Sequence, residues 1–171
     1  MRRTLVLLAL AALGVALVTT IEAPRRPTAR ELVHGARPLR TTARAMRRIE
    51  VRIGSRHVVA VRAADGSWQR DGAAPDPRFA AAVDALAHEL EDARAIDAFR
   101  TANPAALGLD PPAGSIGITT ARGPERLDLG SLNTAGSTVY ARRAGHRRAL
   151  QLGVYLLQVA QRVADAAEPA P

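Results

Sequence analysis

The chain has 171 residues, 47% of them apolar and 3% aromatic, which suits one domain with accessory segments and a core of Val, Leu, Ile and Ala. Cysteine is absent, which excludes disulfides, thiolate metal sites and a cysteine nucleophile. The net charge of +8 is carried entirely by Arg: residues 1–62 hold 13 Arg and 3 acids, residues 63–135 hold 6 and 11, and residues 136–171 hold 5 and 2. The excess is therefore N-terminal, whereas a polyanion-binding domain carries a basic face throughout.

Met1-Arg2-Arg3 precedes an uncharged run from Thr4 to Ile21. As a helix this run rises about 25 Å, within the lower range for a membrane span. It predicts an N-terminal anchor over residues 1–23. Cleavage after Ala23 would put Ile21 and Pro24 at unfavourable positions, so the reading is an uncleaved signal anchor, with a cleaved signal peptide as the alternative. Arg2 and Arg3 favour a cytoplasmic N-terminus, while Arg25, Arg26 and Arg30 pull toward the inverse topology. The expectation is a single-pass protein of the bacterial inner membrane with a periplasmic C-terminal domain. Residues 24–48, with Pro24, Pro27, Pro38 and many Arg, read as a solvated linker near anionic headgroups.

The pattern changes at Ile49. Ile49, Val51 and Ile53 alternate with Glu50 and Arg52, which predicts a half-buried strand. Gly54-Ser55 suits a tight turn, and His57 to Arg62 returns as a strand with Val59 and Val61 expected inward. Asp65-Gly66 marks another turn before a short strand containing Trp68. Asp76 is placed to cap a helix that starts at Pro77, and Phe79, Val83, Leu86 and Leu90 share one face of it. Asp84, Glu89, Glu91 and Asp92 fall opposite, as a wet acidic side.

Ala93 to Phe99 reads as an edge strand, followed by a short turn ending in Leu107-Gly108-Leu109-Asp110-Pro111-Pro112. In that motif Gly108 suits a left-handed position, the prolines stop the turn from continuing, and Leu107 and Leu109 are expected to plug the sheet edge. Strands are predicted over 115–120, 125–129, 138–142 and 148–152, then a closing helix from Val154 to Ala166 with Leu156, Val159 and Val163 on one face. Residues 49–166 thus form one α+β domain of antiparallel hairpins and two amphipathic helices, with 167–171 a frayed tail.

Several of these strings together resemble the bacterial domain-of-unknown-function family 4340. They are Gly66-Ser67-Trp68, Pro75-Asp76, the Leu107 to Pro112 motif, Ile116-Gly117-Ile118-Thr119, Arg126-Leu127-Asp128-Leu129-Gly130 and Ser137-Thr138-Val139-Tyr140-Ala141. The resemblance spans about Ile49 to Ala166. It implies one N-terminal membrane span, an extracytoplasmic α+β domain and association with ABC-type export systems of the gliding-motility kind. It implies no catalytic residue. The chain is shorter than many of those relatives, and its Arg-rich linker is longer.

Candidate chemistry is sparse. His88 and Asp92 lie one helical turn apart, but a metal site needs three or four converging ligands. Ser115, Ser131 and Ser137 stand outside any nucleophile elbow, and no phosphate-binding glycine loop precedes a helix. Arg142, Arg143, Arg147 and Arg148 flank Gly145 as a basic hairpin tip that could meet an acidic partner or anionic lipid. The reading is a non-enzymatic, membrane-tethered accessory module without cofactor, metal, nucleic acid or small-molecule substrate. Its expected partners are membrane lipid and ABC-transporter subunits or another membrane protein. A basic membrane-surface or polyanion-binding protein and an unrecognised hydrolase are the alternatives.

Overall fold

The computed structural model describes residues 35–74 and 76–168. The predicted anchor over 1–23, the first part of the predicted linker, Pro75 and residues 169–171 lie outside them. Eight strands form one antiparallel sheet: β1 (Arg48–Ile53), β2 (Arg56–Arg62), β3 (Trp68–Arg70), β4 (Asp97–Arg100), β5 (Gly114–Thr120), β6 (Gly123–Leu132), β7 (Thr138–Arg143) and β8 (Arg148–Gly153). Their spatial order is β3-β2-β1-β5-β6-β7-β8-β4. Two helices, α1 (Pro77–Asp92) and α2 (Val154–Ala166), pack on each other and on one face of the sheet. The architecture is the α+β class that the hairpin grouping predicts.

Local chemistry explains the elements. The Asp76 carboxylate accepts hydrogen bonds from the Arg78 and Phe79 amides at 2.8 and 3.4 Å, and Pro77 occupies the first turn. Phe79, Val83, Leu86 and Leu90 are all buried, as the helical spacing requires. They meet Ile49, Val51, Ile116, Ile118, Leu127, Leu129, Val139 and Leu152 from the sheet and Leu156, Val159 and Val163 from α2. Burying the four α1 side chains contributes roughly 6–12 kcal/mol before chain entropy is charged.

Three expectations are corrected. On β2 the inward residues are Val58 and Ala60, while Val59 and Val61 lie half-exposed on the other face. The two-residue turn pairs Ile53 with Arg56 and therefore Val51 with Val58 and Ile49 with Ala60. Residues directly opposite share a face, so the turn length decides the register. Secondly, the stretch expected as a solvated linker is, from Gly35 onward, part of the packed unit. Leu39 and Met46 are fully buried, Ala43 is buried beside them, and the Ala43 amide donates to the Glu91 carboxylate at 2.9 Å. Glu91 is thus a capping group for the 3₁₀ turn Ala43–Ala45 as much as a member of a wet face. Thirdly, residues 167 and 168 are engaged: the Ala167 carbonyl accepts from Arg70 and the Glu168 carboxylate lies 3.7 Å from Arg56.

A latch ties the lead-in segment to the first hairpin. Trp68 is buried, and the Arg62 guanidinium lies 4.3 Å above its ring. The same guanidinium donates to the carbonyls of Met46, Gly66 and Ala43. At the far edge, the Asp97 carboxylate accepts the Ala98 amide at 2.8 Å, and Gly35 and Ala36 exchange backbone hydrogen bonds with Ala95.

Candidate functional site

The face of the sheet turned away from the helices is divided. Over part of β6 and β7 it is covered by the loop from Thr101 to Ala113, and this is where the Leu-Gly-Leu-Asp-Pro-Pro motif sits. The short 3₁₀ turn Ala105–Leu107 ends at Gly108, whose φ of 65° is the left-handed conformation expected. Asp110-Pro111 is a cis peptide, and Leu109 bridges to Pro112. Leu109 is fully buried but lies over the interior of the sheet, against Gly130 of β6, so the expected plugging of a sheet edge is not what the motif does. Leu107 is only half-buried.

Two glycines permit this close approach. A Cβ on Gly130 would stand 2.1 Å from the Leu107 carbonyl oxygen, and one on Gly108 would stand 2.8 Å from the Ser131 amide nitrogen. Both obstacles are backbone. The register between β6 and β7 shifts between Leu129 and Leu132, at the point where the loop crosses. Beneath the loop, Asp128 is almost wholly buried, with Arg126 Nε 2.9 Å and Arg142 Nη2 3.7 Å from its carboxylate. Arg142 also donates to the Leu109 carbonyl at 2.9 Å, and Tyr140 packs edge-on against Phe99 with ring centroids 6.2 Å apart.

The four arginines expected at one basic hairpin tip are therefore split. Arg142 is spent on Asp128 and Leu109, and Arg143 pairs with Glu125 at 2.8 Å. Arg147 and Arg148 remain exposed. Arg148 stands directly opposite Arg100 of β4, which sequence reasoning did not associate with the tip. The local cationic cluster is thus Arg100, Arg147 and Arg148, and only the β4–β8 register reveals it.

Over β3, β2, β1 and β5 the same face is open. Arg48, Glu50 and Arg52 point out from β1, with Val59 and Gly117 directly opposite Glu50 and with His57 and Ser115 directly opposite Arg52. Glu50 accepts from Arg52 Nε at 3.1 Å and Nη2 at 2.9 Å and contacts His57 Nε2 at 2.8 Å. Partial burial pushes the Glu50 carboxyl up, but the hydrogen bonds from Arg52 and His57 and their charges outweigh it and hold the group below the ordinary glutamate value. A shallow groove of about 460 Å³ runs along this face, with Arg48, Glu50, Gly117, Arg126 and His146 in its lining. Exposed, partly apolar and alternating in charge, it has the make-up of a docking surface.

The residues weighed for catalysis and metal binding lie apart. Ser115 and His57 flank Arg52 on opposite sides, which sets their backbones about 10 Å apart at ordinary strand spacing. Ser137 Oγ accepts from Asn133 Nδ2 at 3.3 Å, and no serine is hydrogen-bonded to a histidine among the described residues. His88 lies 3.7 Å from Asp84, the turn before it, rather than beside Asp92. No group of three or more metal-ligating side chains occurs among the described residues, and no described helix is long and apolar enough to cross a membrane. Comparison with protein-family profiles, curated proteins and solved structures finds no match to this chain.

Proposed function

We propose that the protein is a non-enzymatic interaction module, tethered to the bacterial inner membrane by residues 1–23 and presenting its α+β domain in the periplasm. The observation that carries this reading is the asymmetry of the sheet. One face is sealed by two helices, part of the other by a loop, and the open part displays Arg48, Glu50, Arg52, His57, Val59 and Val61 across adjacent strands. Such a mixed surface suits a protein partner whose charges alternate in the opposite sense. The uncharged run from Thr4 to Ile21 supports the tether, and Arg2 and Arg3 support the orientation. The resemblance to domain-of-unknown-function family 4340 supports an ABC-type export system, of the gliding-motility kind, as the partner complex.

The test is cross-linking and affinity purification of the full-length protein from native membranes. Transporter subunits should co-purify, and they should be lost when only the anchor is retained. The double substitution Arg48→Glu/Arg52→Glu should reduce their recovery about tenfold, with little effect on folding because both side chains are exposed. Recovery of the wild-type protein alone, or undiminished recovery with the double variant, would overturn the docking surface.

A further inference from the structure

A second concave site lies where the lead-in segment meets the β5–β6 turn. The Arg47 amide donates to the Thr119 carbonyl at 2.8 Å, which fastens the segment to the end of β5. A groove of about 420 Å³ opens beside this seam, lined by Arg37, Arg40, Thr41 and Thr42 from the segment and by Thr120 and Arg122 from the turn. No carboxylate lines it. Glu91, which reaches the segment, is committed to the Ala43 amide.

Several arginines of the domain face no carboxylate among the described residues, Arg100, Arg147 and Arg148 among them, and three of these, Arg37, Arg40 and Arg122, line this one groove. Arg48, Arg52, Arg56, Arg126, Arg142 and Arg143 each face a carboxylate. Arg37, Arg40 and Arg122 have no hydrogen-bond or ion-pair partner for their side chains among the described residues. Three arginines without a carboxylate partner line one hollow, and a multiply charged oxyanion seated there is attracted to all of them. The guanidinium fork matches the oxygen spacing of phosphate; of the lining threonines, Thr41 and Thr120 spend their hydroxyl protons on the Thr42 and Gly123 carbonyls, which leaves the Thr42 hydroxyl as a neutral donor. We infer that this groove is a phosphate-binding site, for the phosphate of an anionic lipid headgroup or for a soluble phosphate.

The lipid source rests on the membrane tether proposed above; the soluble source does not. Full-length protein in neutral detergent micelles would be titrated with inorganic phosphate while the backbone amide signals of Thr41, Thr42 and residues 121–123 are followed by NMR. The same signals would then be compared in nanodiscs of phosphatidylcholine alone and with added phosphatidylglycerol. The variant Arg37→Gln/Arg40→Gln/Arg122→Gln should weaken phosphate binding about tenfold or more, and Arg122→Gln alone should weaken it measurably while leaving the packed segment untouched. A control, Arg100→Gln/Arg147→Gln/Arg148→Gln, removes equal charge elsewhere and should bind as wild type does. A shift on adding phosphatidylglycerol, lost in the groove variant, identifies the lipid headgroup. Saturable phosphate binding without that shift identifies a soluble phosphate. No saturable response to either source, or equal loss in groove and control variants, would overturn the site.

Discussion

The two halves of the outer sheet face belong to one continuous sheet and treat charge in opposite ways. Under the Thr101–Ala113 loop, Asp128 is buried and its two arginine neighbours are held in place, one of them also bonded to the Leu109 carbonyl. On β1, Glu50 holds Arg52 and His57 at a solvent-accessible surface. The first arrangement specifies where a loop must lie, because a buried charge tolerates few geometries. The second leaves its charges free to exchange partners. A change in the sealed half should therefore cost stability, and a change in the open half should cost binding.

That contrast is broken most severely at Gly130. Replacing it with Ala sets a Cβ against the Leu107 carbonyl, and because the obstacle is backbone the loop must lift, so urea denaturation should show a loss of about 4 kcal/mol or more. Leu109→Ala keeps the loop path but empties its anchor, and about 3 kcal/mol is expected in the same measurement. A smaller loss, about 1 kcal/mol, is expected for Asp76→Ala, which removes the cap of α1 and touches neither half of the outer face. Should Gly130→Ala prove as mild as the cap substitution, the loop is not the seal described.

The smallest effect is one of pH. The folded-state pKa of Glu50 is lowered, so its contribution is present above the unfolded value and is lost as pH falls through the folded one. Glu89 runs the other way: burial, then the charge of Asp92, raises its pKa, so its contribution is full below the unfolded value and is lost as pH rises through the folded one. Glu50→Gln should flatten the acid limb of a stability–pH curve, and Glu89→Gln should slightly raise stability at neutral pH. The opposite signs would show that the Arg52 and His57 contacts do not hold Glu50 in solution.

The elements were legible where local signals agree. On α1, capping, N-terminal proline and period all point to one helix, and on β1 strict alternation points to one face. β2 was misread because Val58, Val59 and Val61 put valine on both faces, so alternation does not choose between them; counting back from the Gly54-Ser55 turn does. Leu39, Ala43 and Met46 carry a helical spacing, but interspersed arginines masked it and only contact with α1 explains their burial. The two basic sites are least legible of all. Arg122 is remote in sequence from Arg37 and Arg40 and meets them only because the lead-in segment packs on the β5–β6 turn, while Arg100 meets Arg148 through the β4–β8 pairing.

The β4 edge carries a consequence for how copies of the domain meet. An unguarded strand edge is a template for endless lateral growth. Here the Ala98 amide is already occupied by the neighbouring Asp97 carboxylate, and Gly35 and Ala36 run alongside Ala95. The domain's own lead-in segment beside Ala95 and one acidic side chain thus blunt the start of this edge, where a neighbouring strand would otherwise find free backbone groups.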